Sequence, residues 1–197
     1  MKILITNDDG IYAAGMIPLV KWAMKLGQVT VIAPKVEQSG KSHGIEIHKS
    51  FSLEQVDLVD GVASYALDST PADCVRYAIL GRKDQYDLVI SGINRGLNVG
   101  ADIMYSGTVA AAMEGAICGR PALAISQHES GRNYEGAASL AVQGFAKMVE
   151  KGMLCGDEVE QYLKAQFDSL GVRIDCVVLG CTHFPFVRGA IRRVLGE

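Results

Sequence analysis

Lys2-Ile3-Leu4-Ile5-Thr6 runs without interruption into Asn7-Asp8-Asp9-Gly10. A short continuous apolar run is the pattern of a strand buried on both faces. Such strands belong to parallel sheets covered by helices on either side. This one segment therefore restricts the chain to the α/β class. Where the strand must end, two carboxylates stand side by side, and in an open α/β sheet that end is where ligands bind. Adjacent carboxylates repel, so one holds its proton more tightly unless a cation sits between them. Asn, Asp and Gly are also turn formers. The tetrad alone fits a turn as well as a site; its place at the first strand tip favours the site.

The following residues repeat the β-loop-α grammar. Met16, Ile17, Leu19, Val20, Ala23 and Met24 form a helical stripe stopped by Gly27, and Val29 to Ala33 is a second strand ended by Pro34. The polar stretch Lys35 to Ser42 follows that tip, which places the Ser39 hydroxyl on the same rim as the acids, although a loop role is the simpler reading. Residues 43–60 alternate loosely and read as an extended excursion. Thr70-Pro71 opens a helix, with Thr70 as N-cap. After the strand ending at Ile90, Ser91 to Gly100 reads as a functional loop, in which Asn94 offers a neutral oxygen ligand and Arg95 a phosphate-holding fork. Ser106-Gly107-Thr108 begins an alanine-rich helix, and the free N–H groups of a helix start suit an anion such as phosphate.

The expected architecture is a three-layer α/β/α Rossmann-like sandwich with a mostly parallel sheet, as one domain over 1–197. Strands are expected near 2–6, 29–33, 62–67, 86–90, 122–126 and 175–179, with helices near 15–26, 71–80, 108–118, 134–150, 157–170 and 185–195.

Composition narrows the function classes. A net charge of -3 gives no bulk attraction to nucleic acid, and no apolar span reaches membrane length. The first strand leaves no room for a signal peptide, so a cytoplasmic location is expected. The five cysteines share no CxxC spacing and form no zinc set.

Five blocks carry a resemblance: Ile3 to Gly10, Ala33-Pro34 with Ser39-Gly40, Thr70 to Val75, Ser91 to Asn98, and Tyr105 to Gly115. In that order they closely resemble the SurE survival-protein family of nucleoside-monophosphate phosphatases, over residues 1–150. The resemblance implies a divalent metal held by Asp8, Asp9, Ser39 and Asn94; such an oxygen-rich shell suits Mg²⁺ or Mn²⁺, and either Asp8 or Asp9 would orient or deprotonate the attacking water. The resemblance places Ser106, Gly107 and Thr108 around the phosphate of a nucleoside monophosphate, and the Arg95 fork is a secondary candidate for the same task. It implies dimers or tetramers, so a homodimer is an expected assembly.

Residues 153–197 carry a different resemblance. Val177 to Pro185, with Cys181, Thr182 and His183 at a strand tip, looks like the second catalytic-cysteine motif of glutamate racemases. The partner thiol motif is missing, so racemisation is not expected. The two signatures together suggest a chimera. The alternative to a phosphatase is then a catalytically inactive recombined or designed α/β scaffold that keeps fragments of two active sites.

Overall fold

The computed structural model describes residues 1–128 and 133–139. Its first strand, β1 (Lys2–Thr6), shows why the opening run is apolar throughout. Ile3 and Ile5 face one side of the sheet and pack with Met16, Leu19 and Val20 of α1 (Met16–Ala23). Leu4 faces the other side and packs with Cys74, Val75 and Ala111. All three strand residues are fully buried, as period-two alternation between two helical layers demands.

Five further strands complete the sheet: β2 (Gln28–Pro34), β3 (Leu53–Gln55), β4 (Ala63–Leu67), β5 (Leu88–Arg95) and β6 (Ala122–Gln127). The order is β3-β4-β2-β1-β5-β6. Neighbours pair in parallel except β3, a short antiparallel edge on β4. Between β4 and β5 the chain forms α2 (Pro71–Arg76), prolonged by a wider turn over Tyr77–Gly81; between β5 and β6 it forms α3 (Gly107–Ile117). Both helices cover the face of Leu4, while α1 and the helical residues 134–139 cover the other. This is the expected three-layer sandwich. From β1 the chain winds outward to β2 and β4, then crosses back to place β5 on the other side of β1. The winding reverses between β1 and β5, so the crevice above their carboxyl ends is where this topology offers a ligand site.

Capping follows the sequence. Thr70 Oγ1 accepts from the Asp73 N–H at 3.1 Å, and Ser106 Oγ accepts from the Val109 N–H at 3.1 Å. The larger difference lies in β5, which runs on to Arg95 where a loop is expected after Ile90. Ser91, Gly92 and Asn94 look like loop residues, yet Asn94 and Arg95 pair with Ser126 and Gln127 across a register shift. The shift falls at Gly92, whose φ is +140°; a Cβ there would lie 2.4 Å from the Ile125 carbonyl oxygen. The bulge re-aims the strand tip, a device common beside ligand sites. Gly92→Ala is therefore expected to cost about 2 kcal/mol. A melting temperature equal to that of the unaltered protein would contradict this account of the bulge.

The remaining part of the helix expected over 134–150 and the elements expected near 157–170, 175–179 and 185–195 lie outside the described residues. So do Cys181, Thr182 and His183.

Candidate metal and phosphate site

The β1 tip is shaped by Asn7. This residue is fully buried, and its Nδ2 donates to the Gly10 carbonyl at 2.8 Å, closing the turn that carries the two acids. The acids then diverge. Asp8 is 4% exposed and is directed at the start of α3, where it accepts a hydrogen bond from the Thr108 hydroxyl. The backbone N–H groups of Gly107 and Thr108 also favour its charged form. The helix start can come this close because residue 107 has no side chain: a Cβ on Gly107 would lie 2.8 Å from the Asp8 Cβ and 3.1 Å from its Oδ2. Asp9 is half-buried and turns toward β5, where the Arg95 N–H donates to its Oδ2 at 3.2 Å.

Burial dominates the electrostatics. It raises the Asp8 pKa despite the donors around that carboxylate. Burial, followed by the Asp8 charge, pushes Asp9 up to about 6; the Arg95 N–H opposes the shift and the Glu37 carboxylate adds to it. Two carboxylates that repel each other in a desolvated crevice are a pair that a cation would relieve.

The remaining residues proposed from sequence reach the same rim with different attachments. Asn94 Nδ2 donates to the Gly96 carbonyl at 2.8 Å, a bond that does not use its Oδ1. Arg95 is exposed, and its charge favours the ionised form of Asp9. The loop carrying Ser39 is drawn in by the Gln38 N–H, which donates to the Asp8 carbonyl at 2.7 Å. Ser39 itself is exposed and donates to Glu37 Oε1 at 2.7 Å. Ser106 serves as the α3 cap and Thr108 as a donor to Asp8. Both hydroxyls are thus engaged, and the anion at the helix start is the protein's own Asp8. Two contributors were missed. Glu37 adds a third negative charge near Asp9; the signal was its acidity within the polar rim segment. The Asn7 Oδ1 is a buried acceptor with no hydrogen-bond partner among the described residues, and it adjoins the pair.

This donor set fits a hard divalent cation. Two carboxylates, an amide oxygen and a hydroxyl on a neighbouring loop are the kind of oxygen donors that hard divalent cations favour. Among the described residues, no group of three or more His, Cys, Asp or Glu side chains could hold a metal. Among the same residues, no helix is long and apolar enough to cross a membrane.

Comparison with known proteins identifies the family. The family model for survival protein SurE matches residues 3–184. The chain is 45% identical over 159 residues to the 5'-nucleotidase SurE of Thermoanaerobacter sp. strain X514, covering 78% of this chain and 62% of that protein. It is 44% identical over 168 residues to the 5'-nucleotidase SurE of Clostridium beijerinckii, covering 84% of this chain and 63% of that protein. The crystal structure of the SurE protein from Aquifex aeolicus superposes with a TM-score of 0.69 at 36% identity, covering 78% of this chain and 62% of the other. The chain thus spans somewhat under two thirds of the length of these relatives.

The chimera expected from the tail is overturned. One family model continues through residue 184, across Cys181, Thr182 and His183, so the segment resembling glutamate racemase belongs to the same family sequence as the rest. A string as short as Val177 to Pro185 does not discriminate between families.

Proposed function

The chain belongs to the SurE family, matched over residues 3–184, and from that premise we propose that it is a divalent-metal-dependent phosphomonoesterase acting on nucleoside monophosphates. The observation that carries this reading is the Asp8–Asp9 pair at the β1–β5 switch point. One carboxylate is locked at a helix start and the other is pushed up to about 6.

The metal would be held by Asp8, Asp9, Asn94 Oδ1 and, once its hydroxyl turns from Glu37, Ser39. When bound, it supplies Lewis-acid polarisation of a phosphoryl oxygen and a bound water of lowered pKa. The chain's residues divide the remaining tasks. Thr108 and the α3 start fix the orientation of Asp8. Asp9, the more open of the two, is better placed to take a proton from the attacking water. Arg95 brings a planar fork suited to phosphate oxygens. Attack at phosphorus breaks the P–O ester bond, and the nucleoside oxygen leaves with a proton.

Hydrolysis of a nucleoside monophosphate should appear with Mn²⁺ or Mg²⁺ and vanish with a chelator; metal-independent hydrolysis would refute the reading. The Asp9 proton sets the pH dependence. A metal must displace it, so affinity is full above about 6 and lost as pH falls through that value. Mn²⁺ affinity is expected to be about tenfold weaker at pH 5 than at pH 7.5. The metal-free fold has the opposite linkage. Its raised Asp9 pKa, from 3.8 to about 6, contributes stability on the acid side that is lost as pH rises through that window. An Mn²⁺-induced rise in melting temperature of equal size at both pH values would contradict the assignment.

A further inference from the structure

Residues 35–52, between β2 and β3, contain neither helix nor strand, yet they carry Ser39. Their position therefore depends on individual ties. The Gln38 N–H donates to the Asp8 carbonyl at 2.7 Å, and the Ser42 N–H to the Tyr105 carbonyl at 3.0 Å. The Glu46 N–H donates to Asp73 Oδ2 at 2.8 Å. The fourth tie joins two side chains: His43 Nε2 donates to Glu114 Oε2 at 2.7 Å. Glu114 lies in α3, the helix whose start holds Asp8, and its side chain is 4% exposed. Its other oxygen accepts from Arg76 Nη1 at 2.8 Å. One buried carboxylate thus joins three pieces of the molecule: α3, α2 and the Ser39 loop.

A buried carboxylate facing Arg76 is explained by that ion pair alone. The second partner is what needs a reason. His43 lies four residues from Ser39 and its side chain is 30% exposed. It adds little to the core but fixes the loop to the same helix that orients Asp8. We propose that Glu114 is a positioning residue that, through His43, latches the Ser39 loop over the Asp8–Asp9 pair and so presets the neutral side of the metal site. The latch rests on the metal-dependent reading given above. The loop backbone is held at Gln38 and Ser42 and the loop is further tied through the His43 side chain, so Ser39 is kept beside Gln38 at the β1 tip.

The test uses the full chain with Mn²⁺ alone as the probe. His43→Ala leaves the Glu114–Arg76 pair and the core in place, whereas Glu114→Gln also disturbs that pair, so the histidine variant is the primary one. In His43→Ala, amides 38–46 should exchange faster with deuterium while those of β1 and α3 do not. Mn²⁺ affinity, read by electron paramagnetic resonance, should fall about tenfold, the loss typical when a group that orients a metal ligand is removed. It should fall more than kcat at saturating Mn²⁺ does. His43→Gln, which keeps a side-chain N–H donor, should recover much of the affinity. Unchanged exchange in the loop, or unchanged Mn²⁺ affinity in His43→Ala, would overturn the latch. A wild-type protein that binds Mn²⁺ but hydrolyses no nucleoside monophosphate would overturn the phosphatase reading, while Mn²⁺ affinity and exchange would still decide the latch.

Discussion

Asp8→Asn is expected to remove Mn²⁺-dependent hydrolysis, with a rate loss of about a thousandfold or more. A metal that polarises a phosphoryl oxygen and lowers the pKa of water supplies several kcal/mol, and about 4 kcal/mol corresponds to a factor near a thousand. The substitution keeps the size of the side chain and removes the charge that a cation needs. Its effect on the fold should go the other way. Burial raises the Asp8 pKa, so the ionised form carries a desolvation cost that a neutral amide avoids. The metal-free variant should melt no lower than the wild type, while the Mn²⁺-induced rise in melting temperature disappears. A second readout is internal. The Asp8 charge is one of the causes that push Asp9 up to about 6, so the Asp9 pKa should drop in the variant, as followed by carboxyl NMR. Wild-type hydrolysis by Asp8→Asn would sink the site assignment.

Much of this arrangement is written in local pattern. Ile3, Leu4 and Ile5 had to be a doubly covered strand because all three are apolar, and each is fully buried. Thr70-Pro71 and Ser106 announced helix starts through capping chemistry. The rest depends on partners far away in sequence. The extension of β5 to Arg95 could not be read from Ser91-Gly92-Ile93-Asn94, because β6 supplies the pairing that makes it a strand. The Thr108 hydroxyl looks like a phosphate ligand until the turn at Asn7 brings Asp8 against it. The contact of Ser39 with Glu37 is invisible to a reading that seeks metal ligands and ignores the adjacent carboxylate. The tail failed for a different reason. The resemblance to glutamate racemase rests on the short string from Val177 to Pro185, whereas the family match extends over residues 3–184. A short string can be shared between unrelated families; a match along the chain marks the family.

Gly107→Ala tests whether the approach of α3 to Asp8 matters for chemistry. A methyl group at that position would lie 2.8 Å from the Asp8 Cβ and 3.1 Å from Pro71 Cγ. The clash is with the site itself and with the first turn of α2, so one of three pieces must give way. The β1 tip is held by the Asn7–Gly10 turn and by the Gln38 N–H on the Asp8 carbonyl. The α3 start is held by the Ser106 cap, by the Thr108 hydroxyl on Asp8 and by the Ser42 N–H on the Tyr105 carbonyl; it carries the added methyl group and is the part expected to shift. Such a shift withdraws the Thr108 hydroxyl and the two N–H groups that favour ionised Asp8. Displacement by about 1 Å commonly costs about a hundredfold in rate. The expected signature is that loss in kcat/KM, with helix content by circular dichroism unchanged, since alanine is a better helix former than glycine. Asp8 should also hold its proton more tightly in the metal-free variant, because the groups that favour its charge have moved away. Full activity in Gly107→Ala would mean that the contact between the helix start and Asp8 is packing alone, and the oriented carboxylate would lose its place in the mechanism.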